Sequence, residues 1–259
     1  MRKIHAMNIV INPAFNHLKE QIENIPASFT SEKNIIYEGR NTLKLIDFGG
    51  RKLVVKSFKI PNIINKFAYS YLRPSKARRS YEYGFEIIKR GINTPAPVAY
   101  IEEFKLGLLH RSFYICEYCN YDRSFREFDL RPGTFANKTD ILIAFADFTA
   151  AMHDRQIYHP DYSNGNILFE KKGSSISFSV IDINRITFGA VSRKKSYKAF
   201  RRLCAGEEML RIIAERYAVK RGLKVNECIA KVKYYNDKTM KPTPLDQWPP
   251  LEPQDIQEN

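Results

Sequence analysis

A short segment with three spaced polar residues carries most of what this sequence predicts: Ile157-Tyr-His-Pro-Asp-Tyr-Ser-Asn-Gly-Asn-Ile-Leu-Phe169. It holds His159, Asp161 and Asn166 in the spacing H-x-D-x-x-x-x-N, and its apolar end is typical of a strand. Phosphoryl transfer needs a carboxylate that accepts a hydroxyl proton and an oxygen ligand for Mg²⁺ a few residues away. We therefore expect Asp161 to act as the base and Asn166 to bind the metal. We group His159 with the catalytic residues and expect it to orient the loop through hydrogen bonds.

A second carboxylate follows a predicted hairpin. Residues 167–170 and 176–181 are typical of strands, and residues 171–175 are typical of the turn between them. Such a hairpin folds back on itself, so Asp182 would lie beside Asn166, although sixteen positions separate them in the chain. Carboxylate and amide oxygens are suitable ligands for Mg²⁺. We therefore predict that Asn166 and Asp182 share one cation.

Several segments of the chain resemble the protein-kinase-like superfamily. Within it, they are most similar to the bacterial lipopolysaccharide kinases, which phosphorylate Kdo or heptose in the inner core. The segments are residues 54–58, 90–95, 157–161, 166–168 and 181–185, and the resemblance spans roughly residues 33 to 205. It implies an α+β, bilobal protein-kinase-like fold, with an antiparallel β-sheet and one helix in the N-lobe and a mostly helical C-lobe. It also implies ATP and Mg²⁺ as cofactors and an alcohol group as the phosphoryl acceptor.

Lys56 lies in an apolar, strand-like run over residues 52–58. On a strand, Val54 and Lys56 share one face and Val55 occupies the other. A lysine among apolar neighbours is costly to bury unless an anion meets it. The resemblance implies that the anion is the α- and β-phosphates of ATP, which makes Lys56 both a catalytic and a nucleotide-binding residue.

A helix is predicted between Ser75, which caps its start, and Gly91, which ends it. Its apolar stripe consists of Tyr81, Phe85 and Ile88. Kinases place a glutamate on this helix that orients the strand lysine by an ion pair. The resemblance assigns that role to Glu82, with Glu86, one turn later, as the alternative.

The expected nucleotide-binding loop departs from the kinase pattern G-x-G-x-x-G. It contains a single glycine, Gly39, so fewer backbone amides can approach phosphates closely. Arg40 or Asn41 would then contribute side-chain donors to the phosphates. We expect Gly39 and Arg40 to be nucleotide-binding residues on this reduced loop.

The tripeptide Asp47-Phe48-Gly49 spells the kinase metal-binding motif but lies in the wrong place for it. It precedes both Lys56 and the catalytic loop, and it separates two strand-like runs. We predict that it forms a turn, because the metal-binding carboxylate should follow the catalytic loop.

Residues 98–101 and 112–116 are typical of strands. The segment that follows them is expected to contact adenine. The resemblance implies a hinge in which the Glu117 carbonyl accepts from the adenine amino group and the Cys119 amide donates to the ring. Cys116 and Cys119 form a C-x-x-C motif, but no second pair or histidine lies nearby in the sequence, so zinc is not expected. Reduced thiols, which are typical of a cytoplasmic chain, explain these cysteines more simply.

The charge pattern indicates an anionic partner. The chain has 259 residues and a net charge of +14, with basic residues concentrated in segments 52–79 and 193–202. Such a field attracts nucleic acid, an acidic membrane face or a phosphorylated glycolipid. No RNA-binding signature accompanies the basic residues, so nucleic acid is not expected. The resemblance implies an anionic glycolipid acceptor, lipid A with its inner core, and peripheral contact with the inner-membrane surface.

Length and composition allow either one two-lobed domain or two small domains, since 44% of the residues are hydrophobic and 27% are charged. We expect the N-terminal segment and N-lobe in residues 1–119, the C-lobe in residues 120–240 and a proline-rich tail in residues 241–259. No secretion signal or membrane-spanning helix is expected, because the apolar runs are short or interrupted. We therefore expect a cytoplasmic monomer.

Two alternatives stay open. One is a protein or small-molecule kinase on the same scaffold, which differs only in its acceptor. No A-P-E motif follows Asp182, which argues against protein substrates. The other is a non-catalytic kinase-like binding protein, which the single-glycine loop favours. The set Lys56, Asp161, Asn166 and Asp182 argues against it.

Overall fold

A computed structural model describes residues 5–121, 123–126, 138–203 and 205–239 of the protein. Six strands in the first half form an antiparallel sheet: β1 (His5–Ile11), β2 (Ile35–Glu38), β3 (Thr42–Asp47), β4 (Lys52–Phe58), β5 (Pro97–Lys105) and β6 (Leu108–Glu117). Their order is β1-β5-β6-β4-β3-β2. Strand β1 pairs with β5 at one side of the sheet.

Alternating side chains of β4 face opposite sides of this sheet. Leu53 and Val55 are buried in a cluster with residues of α1 (Lys19–Ser28), whereas Phe58 packs with residues of α3 (Lys76–Lys89) on the other side. Lys56 is two positions from Phe58 on the strand, so its side chain points to the same face of the sheet, toward α3. The prediction of one helix beside the sheet is wrong: α1, α2 (Ile63–Phe67) and α3 all accompany it. Without α1, the apolar face that contains Leu53 would be exposed.

Helix α3 begins and ends where the sequence predicts. The Ser75 hydroxyl accepts the Arg78 amide at 3.1 Å, which is a standard N-cap contact. Gly91 has a φ of +72°, the left-handed conformation that commonly ends a helix. These two signals are local, so a single sequence was sufficient to place them.

The predicted apolar stripe of α3 is correct at Tyr81 and wrong at Phe85 and Ile88. Phe85 and Ile88 are 40% and 42% exposed. The buried face of the helix consists of Ala77, Ser80, Tyr81, Gly84 and Ile87. A Cβ atom on Gly84 would lie 2.4 Å from Cγ of Pro97 on β5, so the helix can approach the sheet only because this position has no side chain. Small residues therefore decide which face is buried, and a search for large apolar residues does not reveal them.

Most of the remaining described residues enclose a second, larger core. The elements are β7 (Arg123–Ser124), α4 (Lys138–Asp154), β8 (Ile157–Tyr158), β9 (Ile167–Lys172), β10 (Ser175–Val180), β11 (Thr187–Phe188), α5 (Arg193–Lys198), α6 (Glu207–Lys220) and α7 (Val225–Thr239). Phe145, Phe169, Phe200 and Tyr217 are fully buried in it. Strands β9 and β10 form the predicted hairpin. None of the helices that the structure describes has the length and apolar character needed to cross a bilayer.

The tripeptide from Asp47 to Gly49 belongs to the turn between β3 and β4, as the sequence predicts. The Asp47 carboxylate accepts the Gly50 amide at 2.6 Å, and both Gly49 and Gly50 have positive φ. The proline-rich tail predicted for residues 241–259 lies outside the described residues. The mixed fold, with an antiparallel sheet followed by helices, agrees with the predicted α+β class, and the domain boundaries stay predictions.

Candidate active site

The loop from His159 to Asn166 is closed by its own hydrogen bonds. The Asn166 side-chain amide donates to the Asp161 carbonyl at 2.8 Å, and the Ser163 backbone amide donates to the same carbonyl at 2.9 Å. The Asp161 amide donates to Nδ1 of His159 at 3.2 Å. The three polar residues of the motif are therefore linked to one another. The bond from Asn166 uses its amide nitrogen and does not involve its side-chain oxygen.

His159 is buried and holds the loop in its neutral form. Because Nδ1 accepts the Asp161 amide, Nε2 carries the proton and donates to the Ile181 carbonyl at 3.0 Å. Burial lowers the pKa of His159, although the Ile181 carbonyl and the carboxylates of Asp182 and Asp161 raise it. The imidazole thus ties this loop, through its two hydrogen bonds, to the residue that precedes Asp182.

The β9–β10 hairpin delivers Asp182 to the same place. Directly after β10, the Ile181 amide donates to the Asn166 carbonyl at 3.0 Å. Asp182 itself has φ +55° and ψ +47°, the left-handed region. That conformation costs an L-residue on the order of 1 kcal/mol, although Asp tolerates it better than most. Backbone strain at a predicted metal ligand is typical of a functional site.

Lys56 on β4 reaches Asp182 from the sheet. Its Nζ lies 2.5 Å from Oδ1 of Asp182, and the Asn184 side chain donates to the same oxygen at 2.8 Å. The lysine side chain is 13% exposed and the aspartate 32%. Burial raises the pKa of Asp182, but the charge and hydrogen bond of Lys56, with help from His159 and Asn184, outweigh it. The pKa is therefore lowered, and the carboxylate stays ionised.

Two arginines contact the carboxylate of Asp161. Arg202 donates to its Oδ1, and a guanidinium nitrogen of Arg185 lies 3.7 Å from its Oδ2. Sequence reasoning did not predict either arginine as a site residue. Arg202 is 41 positions from Asp161, so no local spacing could reveal it. Arg185 follows Asp182 by three positions within a segment that carries the family resemblance, and that proximity was the available signal.

The structure does not form the ion pair predicted between Glu82 and Lys56. Arg78 donates to Glu82 at 2.7 Å, and Arg90 donates to Glu86 at 2.7 Å. Both are pairs four residues apart on α3, a spacing that brings opposite charges together without any tertiary contact. Of the carboxylates in the described part of the chain, the one within ion-pair distance of Lys56 is Asp182.

A comparison with known families decides what kind of protein has this loop and this ion pair. A family profile described as "Lipopolysaccharide kinase (Kdo/WaaP) family" matches residues 38–216. The chain belongs to the lipopolysaccharide kinase family. Membership makes the protein a phosphotransferase and implies the use of ATP.

A comparison with solved structures supports the fold. The structure "WaaP in complex with acyl carrier protein" matches with a TM-score of 0.63 and 17% sequence identity, covering 90% of this chain and 100% of that chain. At this identity the likeness establishes the fold alone, which is mixed α and β and consistent with a kinase-like fold. A comparison with curated proteins found no significant match.

In this family member, the single-glycine loop is the turn between β2 and β3. The Gly39 amide donates to the Asn41 carbonyl at 3.2 Å, and the Asn41 side chain accepts the Lys59 amide at 3.2 Å. Arg40 is exposed and lines a pocket of about 280 Å³ together with Lys59 and Lys76. The turn therefore presents a cation to this pocket, whereas the role of Gly39 and Arg40 in nucleotide binding stays a prediction.

Lys76, at the start of α3, lies between this basic pocket and Asp182, the predicted metal ligand. Burial lowers the pKa of Lys76, and the positive charges of Arg40, Arg185 and Arg79 lower it further, whereas Asp182 raises it. The side chain thus lies within the field of both Asp182 and the arginine beside Asp161. Positive charge dominates this side of the site.

The predicted adenine hinge lies where β6 ends. The Glu117 amide donates to the Ala96 carbonyl at 2.9 Å. Cys119 is a free, partly exposed thiol. Burial raises its pKa, and hydrogen bonds with Ser179 and the Tyr121 backbone lower it. Ser179 belongs to β10, so these contacts link the end of the sheet to the hairpin that carries Asp182. Adenine binding by Glu117 and Cys119 stays a prediction.

The oxygen donors near the loop fit a magnesium ion that arrives with a nucleotide. Within the described part of the chain, Oδ1 of Asn166 and Oδ2 of Asp182 accept no hydrogen bond and are hard oxygen ligands. Among those same residues, no group of three or more His, Cys, Asp or Glu side chains could hold a metal. Mg²⁺ in kinases is commonly held by one or two protein oxygens together with phosphates and water, so Asn166 and Asp182 suit that chemistry.

Proposed function

We propose that this protein transfers the γ-phosphate of ATP to a sugar hydroxyl of the lipopolysaccharide inner core, on Kdo or heptose. The observation that carries the proposal is the contact between Lys56 and Asp182, made within a lipopolysaccharide kinase family member. A strand lysine with no functional role would face water and would not need a strained aspartate 126 positions away. This contact joins the predicted phosphate-binding residue to the predicted metal ligand.

The chemistry follows from five polar residues. Asp161 accepts the proton of the acceptor hydroxyl while the hydroxyl oxygen forms a bond to the γ-phosphorus. The bond from that phosphorus to the β,γ-bridging oxygen breaks, and ADP leaves. Asn166 and Asp182 hold Mg²⁺, which supplies charge neutralisation of the phosphate oxygens when bound. Lys56 binds the α- and β-phosphates. His159 keeps Asp161 and the residue before Asp182 in register.

The proposed nucleotide site lies between an N-lobe, residues 1–119, and a C-lobe, residues 120–240. Adenine would bind at the hinge through the Glu117 carbonyl and the Cys119 amide. Gly39 and Arg40 would contribute to phosphate binding from the β2–β3 turn. The position of Lys56 on β4 and of Asp182 after β10 supports this arrangement, because their contact spans the sheet and the hairpin.

An anionic acceptor is favoured by the arginines at Asp161. Arg202 donates to one oxygen of this carboxylate and Arg185 lies 3.7 Å from the other. A carboxylate or phosphate on the acceptor would replace Asp161 as the partner of these arginines and leave the base free. A neutral sugar has no charge with which to compete. The two arginines therefore favour Kdo, which carries a carboxylate, or a phosphorylated core as the acceptor, and they do not favour nucleic acid.

The cellular setting is proposed to be the cytoplasmic face of the inner membrane, where the protein would act as a peripheral monomer. Its net charge of +14 supports this location, because anionic lipids on that face attract basic proteins. The lipid A portion of the acceptor would then lie in the bilayer while its sugars reach Asp161.

The direct test is transfer of ³²P from labelled ATP to purified Kdo- or heptose-bearing lipid, followed by mass spectrometry of the glycolipid. We expect a gain of one phosphate, which is lost in Asp161→Asn. The matched control is Asp140→Asn, since Asp140 is exposed at the start of α4, far in sequence from the loop. Transfer that continues undiminished in Asp161→Asn would contradict the role of Asp161.

The two alternatives make different predictions in the same assay. A protein or small-molecule kinase would label another acceptor in a panel tested with one enzyme preparation. A non-catalytic binding protein would label no acceptor, and Mg²⁺-dependent thermal stabilisation by ATP would argue against it. Loss of phosphate from the host glycolipid when the protein is removed would identify reaction and acceptor together.

A further inference from the structure

An exposed apolar ridge lies beside the basic pocket. It is formed by α2, by the helical turn of residues 68–72 that follows it, and by the turn between β5 and β6. Its side chains, each between 53% and 77% exposed, are Ile63, Ile64, Phe67, Tyr71, Leu72 and Leu106. Neither α2 nor residues 68–72 contain a buried residue, so the segment stands off the fold and presents its large apolar side chains to solvent.

Contacts within the ridge join its two parts into one surface. The rings of Phe67 and Tyr71 lie 5.1 Å apart, one helical turn from each other. The Tyr71 hydroxyl donates to the Gly107 carbonyl at 3.3 Å, next to Leu106. The Ser70 hydroxyl accepts the Leu109 amide at 2.8 Å and fixes the segment to β6. The apolar side chains are therefore held together in a defined position and do not belong to a free loop.

Leu106 is an unusual residue for its position. It has φ +54° at the tip of the β5–β6 turn and is 77% exposed. Turn positions with positive φ favour Gly, Asn or Asp, and a leucine there is strained. Neither local geometry nor burial explains a leucine at this tip.

Cations flank the ridge. Burial lowers the pKa of His110, and the positive charges of Lys66 and Lys105 lower it further. Both ammonium groups therefore lie close to this imidazole, beside the ridge. On the other side the ridge borders the pocket of Arg40, Lys59 and Lys76, which no carboxylate lines. An apolar strip between basic side chains is typical of surfaces that bind an anionic lipid interface.

We propose that the apolar ridge docks on the anionic surface of a lipid bilayer. Its large side chains enter between the lipids, and the flanking lysines meet phosphate headgroups. A bilayer is favoured over a protein partner because the exposed apolar side chains lie beside cations, which suit anionic lipid headgroups. The inference deepens the proposed function: Lys76 lies in the field of Asp182 and Arg185, so docking here would bring the membrane surface next to the candidate active site.

The first test measures vesicle binding by sedimentation, with no ATP or acceptor present. The unaltered chain should bind vesicles of equal parts phosphatidylcholine and phosphatidylglycerol more tightly than pure phosphatidylcholine, and salt should weaken the binding. The double substitution Ile64→Ser with Phe67→Ser should weaken it by roughly tenfold or more. The matched control is Val219→Ser with Tyr234→Ser, since these residues are 61% and 54% exposed on α6 and α7, away from the ridge. Equal binding by the ridge variant and the control would refute the proposal.

A second readout reports insertion directly. The chain has one tryptophan, Trp248, so a Trp248→Phe background allows a single reporter to be placed at Phe67→Trp. Its emission should shift to the blue on anionic vesicles and be quenched by brominated acyl chains. A reporter at Tyr234→Trp should show neither change. An unshifted, unquenched signal at position 67 would mean that the ridge does not enter the bilayer.

A third arm tests charge separately from apolar insertion. Lys59→Gln and Lys66→Gln should each weaken binding to anionic vesicles about fivefold and reduce its salt dependence. The control is Lys224→Gln at an exposed lysine between α6 and α7, which should change neither.

If the unaltered chain binds no anionic vesicle, the proposal fails and a protein is the better occupant of the ridge. That failure leaves the kinase proposal intact, because phosphate transfer to a deacylated, soluble acceptor is measured without vesicles.

Discussion

The ammonium of Lys56 lies 2.5 Å from the carboxylate of Asp182, and the two residues neutralise each other between the sheet and the β9–β10 hairpin. In kinases the strand lysine commonly pairs with a helix glutamate. Here Glu82 is paired with Arg78, and Asp182 is the partner of the lysine. ATP and Mg²⁺ carry opposite charges, so together they would divide this pair: phosphates would meet Lys56 and the cation would meet Asp182.

The first prediction concerns Lys56. Lys56→Met should lower kcat/KM for phosphate transfer on the order of 10²–10³-fold, because it removes a preorganised charge from the phosphate site. Lys52→Met on the same strand should leave the rate unchanged, since Lys52 is exposed at the start of β4. The measurement is initial-rate kinetics with both variants at matched purity. Equal losses in the two variants would show that the effect is general to the strand.

Arg202→Ala should raise KM for the anionic acceptor about tenfold, since a charge-assisted hydrogen bond contributes roughly 1.5–3 kcal/mol. KM for ATP should stay the same, and kcat should not fall, because Asp161 loses a competing cation. Arg202→Lys should recover part of the acceptor affinity. Arg211→Ala, an exposed arginine paired with Glu215, is the control. A change confined to KM for ATP would assign Arg202 to the nucleotide.

Buried histidines should make stability fall below about pH 6.5. Burial, and secondarily Arg221, lower the pKa of His153 to about 3, well under the unfolded value of about 6.5, and burial also lowers the pKa of His159. The unfolded chain therefore binds more protons as pH falls. The neutral histidines therefore contribute their full stability above pH 6.5. As the pH falls toward their pKa in the folded protein, this stability is lost, by up to about 1.4 kcal/mol per pH unit for each histidine.

The measurement is the free energy of urea unfolding between pH 7 and pH 4. His153→Gln should reduce the slope of stability against pH, and it should cost stability at pH 7 because Nδ1 of His153 bonds the Tyr217 hydroxyl at 2.6 Å. Substitution of the exposed His17 by Gln serves as the matched control. An identical slope in His153→Gln and the unaltered chain would exclude His153 as a source of the pH dependence.

Gly84→Ala should destabilise the fold by about 1–3 kcal/mol, although Ala is the better helix former. The new methyl would lie 2.4 Å from Cγ of Pro97 and 3.5 Å from Ile183, so α3 must move away from β5. Gly206→Ala has open space around its Cβ and should cost less than about 1 kcal/mol, from a weaker N-cap. Thermal unfolding of both variants checks the prediction. A stabilised Gly84→Ala would show that the helix and sheet are not in close contact in solution.

Local signals predicted a large part of the structure. The caps of α3, the β3–β4 turn and the β9–β10 hairpin each depend on residues that are close in sequence, and all are found in the structure. Three misses have a common cause. The buried face of α3, the helices beside the sheet and the partner of Lys56 depend on which surfaces approach each other, and no local pattern records that.

The spacing of His159, Asp161, Asn166 and Asp182 was sufficient to predict a closed loop and a hairpin that returns beside it, because hydrogen bonds between nearby residues close them. The sequence also determined the family, since the family profile matches residues 38–216 from the amino-acid sequence alone. The tertiary structure alone decided that Asp182 and not Glu82 meets Lys56, and that Arg202 covers Asp161. Those contacts join positions 126 and 41 residues apart, and only packing of the sheet against the hairpin and helices brings them within reach.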